Sequence, residues 1–185
     1  LAAHWLAGLG WSLAGVYSAI VLSTGPTVVT PIVQQIRLAS PLGDVLEAEG
    51  LVLEPIGAVL ALLLLEQLLG DLYGWRGLAM GLLSRLGGGV LIGLAVGWLL
   101  SEVLRRLPSE HSVGLRLQIT LGVLFLMFSI CEWLLPESGL PASVAAGVVV
   151  GRRPSTQAAQ LDALIRELAS LAITMLFPLL AADVS

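Results

Sequence analysis

The sequence predicts an all-α fold: a polytopic transmembrane helical bundle with one discontinuous helix. Three observations predict it. The 185 residues are 57% hydrophobic and 12% charged, with a mean hydropathy of +0.95, whereas soluble domains carry about 25% charged residues. Apolar stretches long enough to cross a bilayer, about 20 residues, recur between short polar breaks. The stretch STGPTVVTP, residues 23–31, sets Thr24, Gly25 and Pro26 where an apolar segment would otherwise continue.

The elements follow in order. A first span is expected from about Ala3 to Leu22, stopping at STGP. A short apolar segment, Thr27 to Ile36, ends at Arg37 and the turn-like ASPLGD. The second long span runs from about Val45 to Leu69 and contains Glu49 and Glu54-Pro55; GDLYGW then turns the chain. The third, about Leu86 to Leu104, is glycine-rich (GGGVLIGLAVG), a composition that lets helices approach closely in lipid. An amphipathic lead-in with Arg76 and Arg85 precedes it. The fourth covers about Leu117 to Leu135, and PESGLP breaks the chain. Ala142 to Val150 is too short to cross without its flanks. Residues 156–167 suit the membrane surface, and a last apolar segment covers about Leu168 to Ala182, with Pro178 near its end. In all, some five or six membrane segments are expected. The chain begins Leu1-Ala2-Ala3, with no Met and no basic n-region of a signal peptide, and ends just after an apolar run. Residues 1–185 are therefore expected to form a single partial membrane domain.

All nine basic residues are arginine. They cluster at alternate boundaries, which by the positive-inside rule predicts residues 37–44, 105–116 and 151–166 on the cytoplasmic side. Arg76 is the one borderline position. The formal net charge of −4 argues against a nucleic-acid partner, which requires a basic face; membrane lipid is the expected surroundings. Cys131 supports neither a disulfide nor a thiol metal site and reads as a small buried hydrophobe. His4 and His111 stand singly, without zinc or iron spacing. G-x-x-x-x-G-K-[ST], G-x-S-x-G and H-E-x-x-H are absent, so no cofactor is expected and the chain does not read as an enzyme.

Glu54 is the sharpest feature. An acid at mid-bilayer costs about 2.5–3.5 kcal/mol on insertion scales, and such residues mark ion or proton pathways. Low dielectric favours a neutral carboxyl, so an acid held there can trade a proton for a metal cation. Pro55 removes the donor that would meet the Leu51 carbonyl four residues earlier, leaving an oxygen for a hard cation or water. Glu49 lies five residues before Glu54, so at about 100° per residue the two point well apart; Glu49 is expected to pair with an arginine. Asp44 and Glu47 read as helix-start acids, and Glu66 and Glu102 as interfacial. Glu132, beside Trp133, is a boundary acid. Irregular backbone at membrane depth occurs where it is buried in protein or lines a watery cavity, and discontinuous helices form midplane ion sites in secondary transporters. Thr24-Gly25-Pro26 is expected to be such a break, although a plain kink or loop would carry the same residues.

STGPTVV followed by LEAEGLVLEPIGAVLALLLLE resembles the cation:proton antiporter superfamily, the sodium/hydrogen exchanger-like transporters. That family carries Thr-Asp-Pro on a broken helix and Glu-Gly/Ser-x-x-Asn-Asp on the next, and GLPASVAAGVVVG resembles its Ser-Gly-x-x-Ala segment. The likeness runs in order over roughly residues 10–183. It implies that Thr24 and Pro26 match the broken helix, that Glu49 is the structural glutamate paired with a distant arginine, and that Glu54 replaces the ion-binding aspartate as the transient Na+ or K+ ligand. It further implies Na+ or K+ exchanged for H+ in pH homeostasis, a homodimer, a bacterial inner (plasma) membrane and an elevator-like movement. Gly25 replaces the aspartate of Thr-Asp-Pro and Leu53 the asparagine, which marks a divergent subgroup. These departures keep two alternatives open, a transport-inactive structural or signalling subunit and a carrier of another small solute. An anionic solute is disfavoured by Glu54, and an intramembrane enzyme by the lack of an acid dyad or a nucleophile–base pair.

Overall fold

The computed structural model describes residues 2–23, 40–70, 74–107, 113–152 and 158–183. Among them the chain is helical throughout. The elements are α1 (Ala2–Ala7), α2 (Trp11–Leu22), α3 (Ser40–Leu69), α4 (Gly74–Leu82), a π-helical turn (Leu83–Gly87), α5 (Gly88–Arg106), α6 (Val113–Leu134), α7 (Gly139–Gly151) and α8 (Ala158–Asp183). Three stretches are long and apolar enough to cross a membrane: Val45–Leu69, Gly74–Arg106 and Gly114–Leu134. Large apolar side chains such as Leu91, Phe125, Leu126 and Met175 face outward, as suits a lipid solvent.

Four expected boundaries are corrected. The run Ala3–Leu22 is two helices, because Gly8 takes φ +64°, a left-handed conformation that costs glycine little. His4 closes that turn, its Nδ1–H donating to the Leu9 carbonyl at 2.6 Å while its ring stacks on Trp11. The turn-like ASPLGD is helical from Ser40, with Pro41 in the first turn, where a missing N–H is harmless. The lead-in and the glycine-rich span are one helix joined through the π turn. The surface segment and the last apolar segment are likewise one helix, running through Pro178. The expected segment Thr27–Ile36 lies outside the described residues.

Packing follows from small residues. Gly89, Gly93 and Gly97 are buried on one face of α5. A Cβ on Gly89 would stand 2.5 Å from the Ser138 carbonyl oxygen, one on Gly97 2.8 Å from the Ala146 Cα, and one on Gly93 would fall on the Ala142 backbone. The i, i+4, i+8 register on α5 meets 138, 142 and 146 at the start of and along α7, so α5 and α7 run parallel. In lipid, helices associate through such close packing rather than through hydrophobicity. Met127 and Cys131 of α6 complete this core with Ala142 and Ala146, as Cys131 was expected to do. α2 lies antiparallel on α3, burying Ala14, Val16 and Ala19, while Val59 and Leu63 are fully buried on α3.

Candidate functional site

α3 has 30 residues, about 45 Å at 1.5 Å per residue, and Glu54 sits halfway along it. α2 has only 12 residues, about 18 Å, short of the roughly 30 Å hydrocarbon core. It starts near the far end of α3, where Gly15 faces Leu64, and stops at Ser23 against Gly57. A helix therefore terminates partway along its neighbour, next to the mid-helix acid. The Ser23 hydroxyl donates a long hydrogen bond, 3.5 Å, to the backbone carbonyl of Glu54. Thr24, Gly25 and Pro26 lie outside the described residues; Ser23 is the point from which the chain continues into them.

Glu54 is half-buried and Pro55 buried. α3 continues through Pro55, which has no N–H to give the Leu51 carbonyl. A cavity of about 310 Å³ opens beside this point, lined by Leu51 and Pro55 of α3, Val90 and Leu94 of α5, and Pro141 and Ala145 of α7 among others. Its walls are apolar. The start of α7 thus reaches the same depth as the end of α2, on the other side of Pro55. Glu49 is exposed, and among the described residues no arginine pairs with it.

Among the described residues, three other acids have clear partners. Glu132 accepts the backbone N–H groups of Glu137 (2.9 Å), in the turn, and Gly139 (3.0 Å), the latter one of the first-turn donors that α7 leaves open. Ser138 Oγ donates to the Cys131 carbonyl at 3.0 Å. Arg85, on the π turn, donates from Nη2 to both carboxylate oxygens of Glu66 at 2.8 and 2.9 Å. Glu102 pairs with Arg105 and Arg106. Arg116 donates to the Leu104 and Leu107 carbonyls at the end of α5. Glu54 is left as the acid beside a helix end and an interrupted hydrogen-bond ladder. Among the described residues no three His, Cys, Asp or Glu side chains gather as a metal site.

Sequence reasoning missed two residues. Gly57 lies within an apolar run that fits any helix, and only its neighbour in space gives it meaning. Glu132 caps a helix five and seven residues downstream, across a turn whose geometry depends on Glu137 at φ +64°.

Compared with known families, residues 1–185 match the one described as sodium/hydrogen exchanger, transmembrane. No solved structure matches.

Proposed function

We propose that this chain, which belongs to the sodium/hydrogen exchanger transmembrane family, carries the exchange carboxylate of a monovalent cation/proton antiporter, and that this carboxylate is Glu54. The chain is an integral membrane transporter, not an enzyme, and its family exchanges cations for protons. The observation that carries the reading is the end of α2 at Ser23, level with Glu54 to Gly57, halfway along α3.

The chemistry is competition. One carboxylate binds either H+ or Na+ or K+, never both, so the two fluxes are coupled through a single site. A helix C-terminus carries partial negative charge, and half-helix C-terminal ends coordinate cations in secondary transporters; the end of α2 would do this beside Glu54. Thr24 and carbonyls at the Gly25-Pro26 break would complete the shell, and Pro55 leaves the Leu51 carbonyl available. Glu49, on another face, would hold the helix through an arginine outside the described residues. Alternating access, in an elevator-like movement of a homodimer, then carries whichever ion is bound. The membrane is read as a bacterial inner membrane.

The test is exchange by the full-length protein in everted vesicles, followed with a pH-sensitive dye as Na+ or K+ is added. Glu54→Gln and Glu54→Ala are expected to lower exchange at least about a hundredfold, more than 2.7 kcal/mol at 1.36 kcal/mol per decade, with the protein still present in the membrane. Wild-type rates in either variant reject the assignment of Glu54, whereas no exchange by the unmutated protein favours a transport-inactive subunit.

A further inference from the structure

Gly57 is buried one helical turn after Glu54. A Cβ built on it would lie 2.9 Å from the Ser23 Cβ, 3.1 Å from the Ser23 Cα and 3.1 Å from the Ser23 nitrogen. Two of these three atoms are backbone, so the collision cannot be relieved by turning a side chain. Either α2 moves away or α3 bends. Not every glycine is packed so: Gly15 meets Leu64 at an ordinary 3.8 Å, and Gly122 and Gly147 meet nothing within 4 Å, whereas Gly89, Gly93 and Gly97 seat α5 on α7 by the same kind of close approach. Alanine also forms helix better than glycine by about 1 kcal/mol, so helix propensity gives no reason for a glycine at 57. The reason is the close approach.

We infer that Gly57 is a positioning residue for the exchange site: its missing side chain seats the end of α2 against α3, and so fixes where the C-terminal end of α2 stands relative to the Glu54 carboxylate. The inference rests on the reading of Glu54 given above. The contact touches neither carboxylate nor ion, and acts through the backbone at the end of α2. A cation shell built from backbone oxygens on one helix and a carboxylate on another is sensitive to their separation. Binding of a proton, which needs only the carboxylate, is not.

The experiment uses the full-length exchanger in proteoliposomes, with dye-reported proton flux measured over a series of Na+ or K+ concentrations. In Gly57→Ala the half-saturating cation concentration is expected to rise about tenfold, with the maximal rate changed much less. Adding Ser23→Gly removes the atom at 2.9 Å and is expected to recover part of that shift. Ser23→Val enlarges the same contact from the other side and is expected to reproduce the shift, so if one single variant fails to assemble, the other decides. An unchanged half-saturation in the assembled variant overturns the inference. So does a loss of maximal rate without an affinity shift, the mark of a merely loosened bundle. Glu54→Gln separates the two readings. Inactive Glu54→Gln beside wild-type affinity in Gly57→Ala overturns the positioning role alone, whereas active Glu54→Gln overturns the site itself.

Discussion

At the residue scale, two glutamates near one turn should behave oppositely when neutralised. Glu132 holds two backbone N–H groups at the start of α7. Removing the acceptor leaves them unpaired in a largely closed site, at about 1–3 kcal/mol for a lost buried partner. Glu132→Ala should therefore lower the thermal midpoint in detergent, and Glu132→Gln, which keeps one acceptor oxygen, should lower it less. Glu137 has no such role. Burial pushes its carboxyl above the ordinary 4.5, the Glu132 carboxylate adds to the rise and Arg85 offsets part of it. The folded state thus favours the neutral acid. Its contribution is full below about pH 4.5 and declines as pH rises through the raised folded value. Glu137→Gln removes the decline, so its melting curve should superimpose on wild type near pH 4 and lie above it near pH 7. An equal gap at both pH values would contradict the assignment.

At the element scale, the legible features were those that lie within one helix. Hydropathy and length marked the spans Val45–Leu69 and about Leu117 to Leu135, the latter Gly114–Leu134 in the structure, and GGGVLIGLAVG announced a close packing face before its partner was known. The partner was not legible, because Gly93 owes its role to Ala142, 49 positions away. The same limit hid the break at Gly8–Gly10 inside an apolar run and the continuity of Gly74 to Arg106 across the π turn. Three consecutive glycines, Gly87 to Gly89, hold an α-helix weakly, and Arg85 is drawn across to Glu66 where that helix changes its winding; π turns of this kind recur at functional sites. Glu54-Pro55 was legible because an acid and a proline are both anomalies in an apolar helix, whereas Gly57 is not. The packing face makes a sharp prediction. A methyl at Gly93 lands on backbone, so Gly93→Ala should cost about 1–3 kcal/mol by overpacking and lower the yield of monodisperse protein. Gly147→Ala, at an exposed position of α7, meets nothing within 4 Å and should be neutral or slightly stabilising.

At the scale of the whole molecule, the arginines and the helix directions agree. The helix Gly74–Arg106 doubles back on α3, with Gly81 against Leu63 and Arg85 on Glu66, so Ser40 and Arg105–Arg106 share one end. α7 runs parallel to α5, which brings Gly151–Arg152 toward that end too. The two arginine-poor turns, by contrast, are staggered. Gly70 closes the far end of α3, whereas Leu135 and Ser138 meet the joined helix at Gly88 and Gly89, about 14 residues or ~21 Å along it from Gly74. That stagger brings the start of α7 level with Pro55 and the end of α2, giving the mid-helix acid a helix terminus on either side. If the arginine-bearing end is cytoplasmic, single cysteines at 105 and 152 should react with a membrane-impermeant thiol reagent in everted vesicles and not in intact cells, and a cysteine at Gly70 should show the reverse. Native Cys131 is fully buried and should stay silent in both. Labelling of 105 and 152 from opposite faces would break the parallel pairing of α5 and α7, and with it the common depth at which α2, Glu54 and α7 meet.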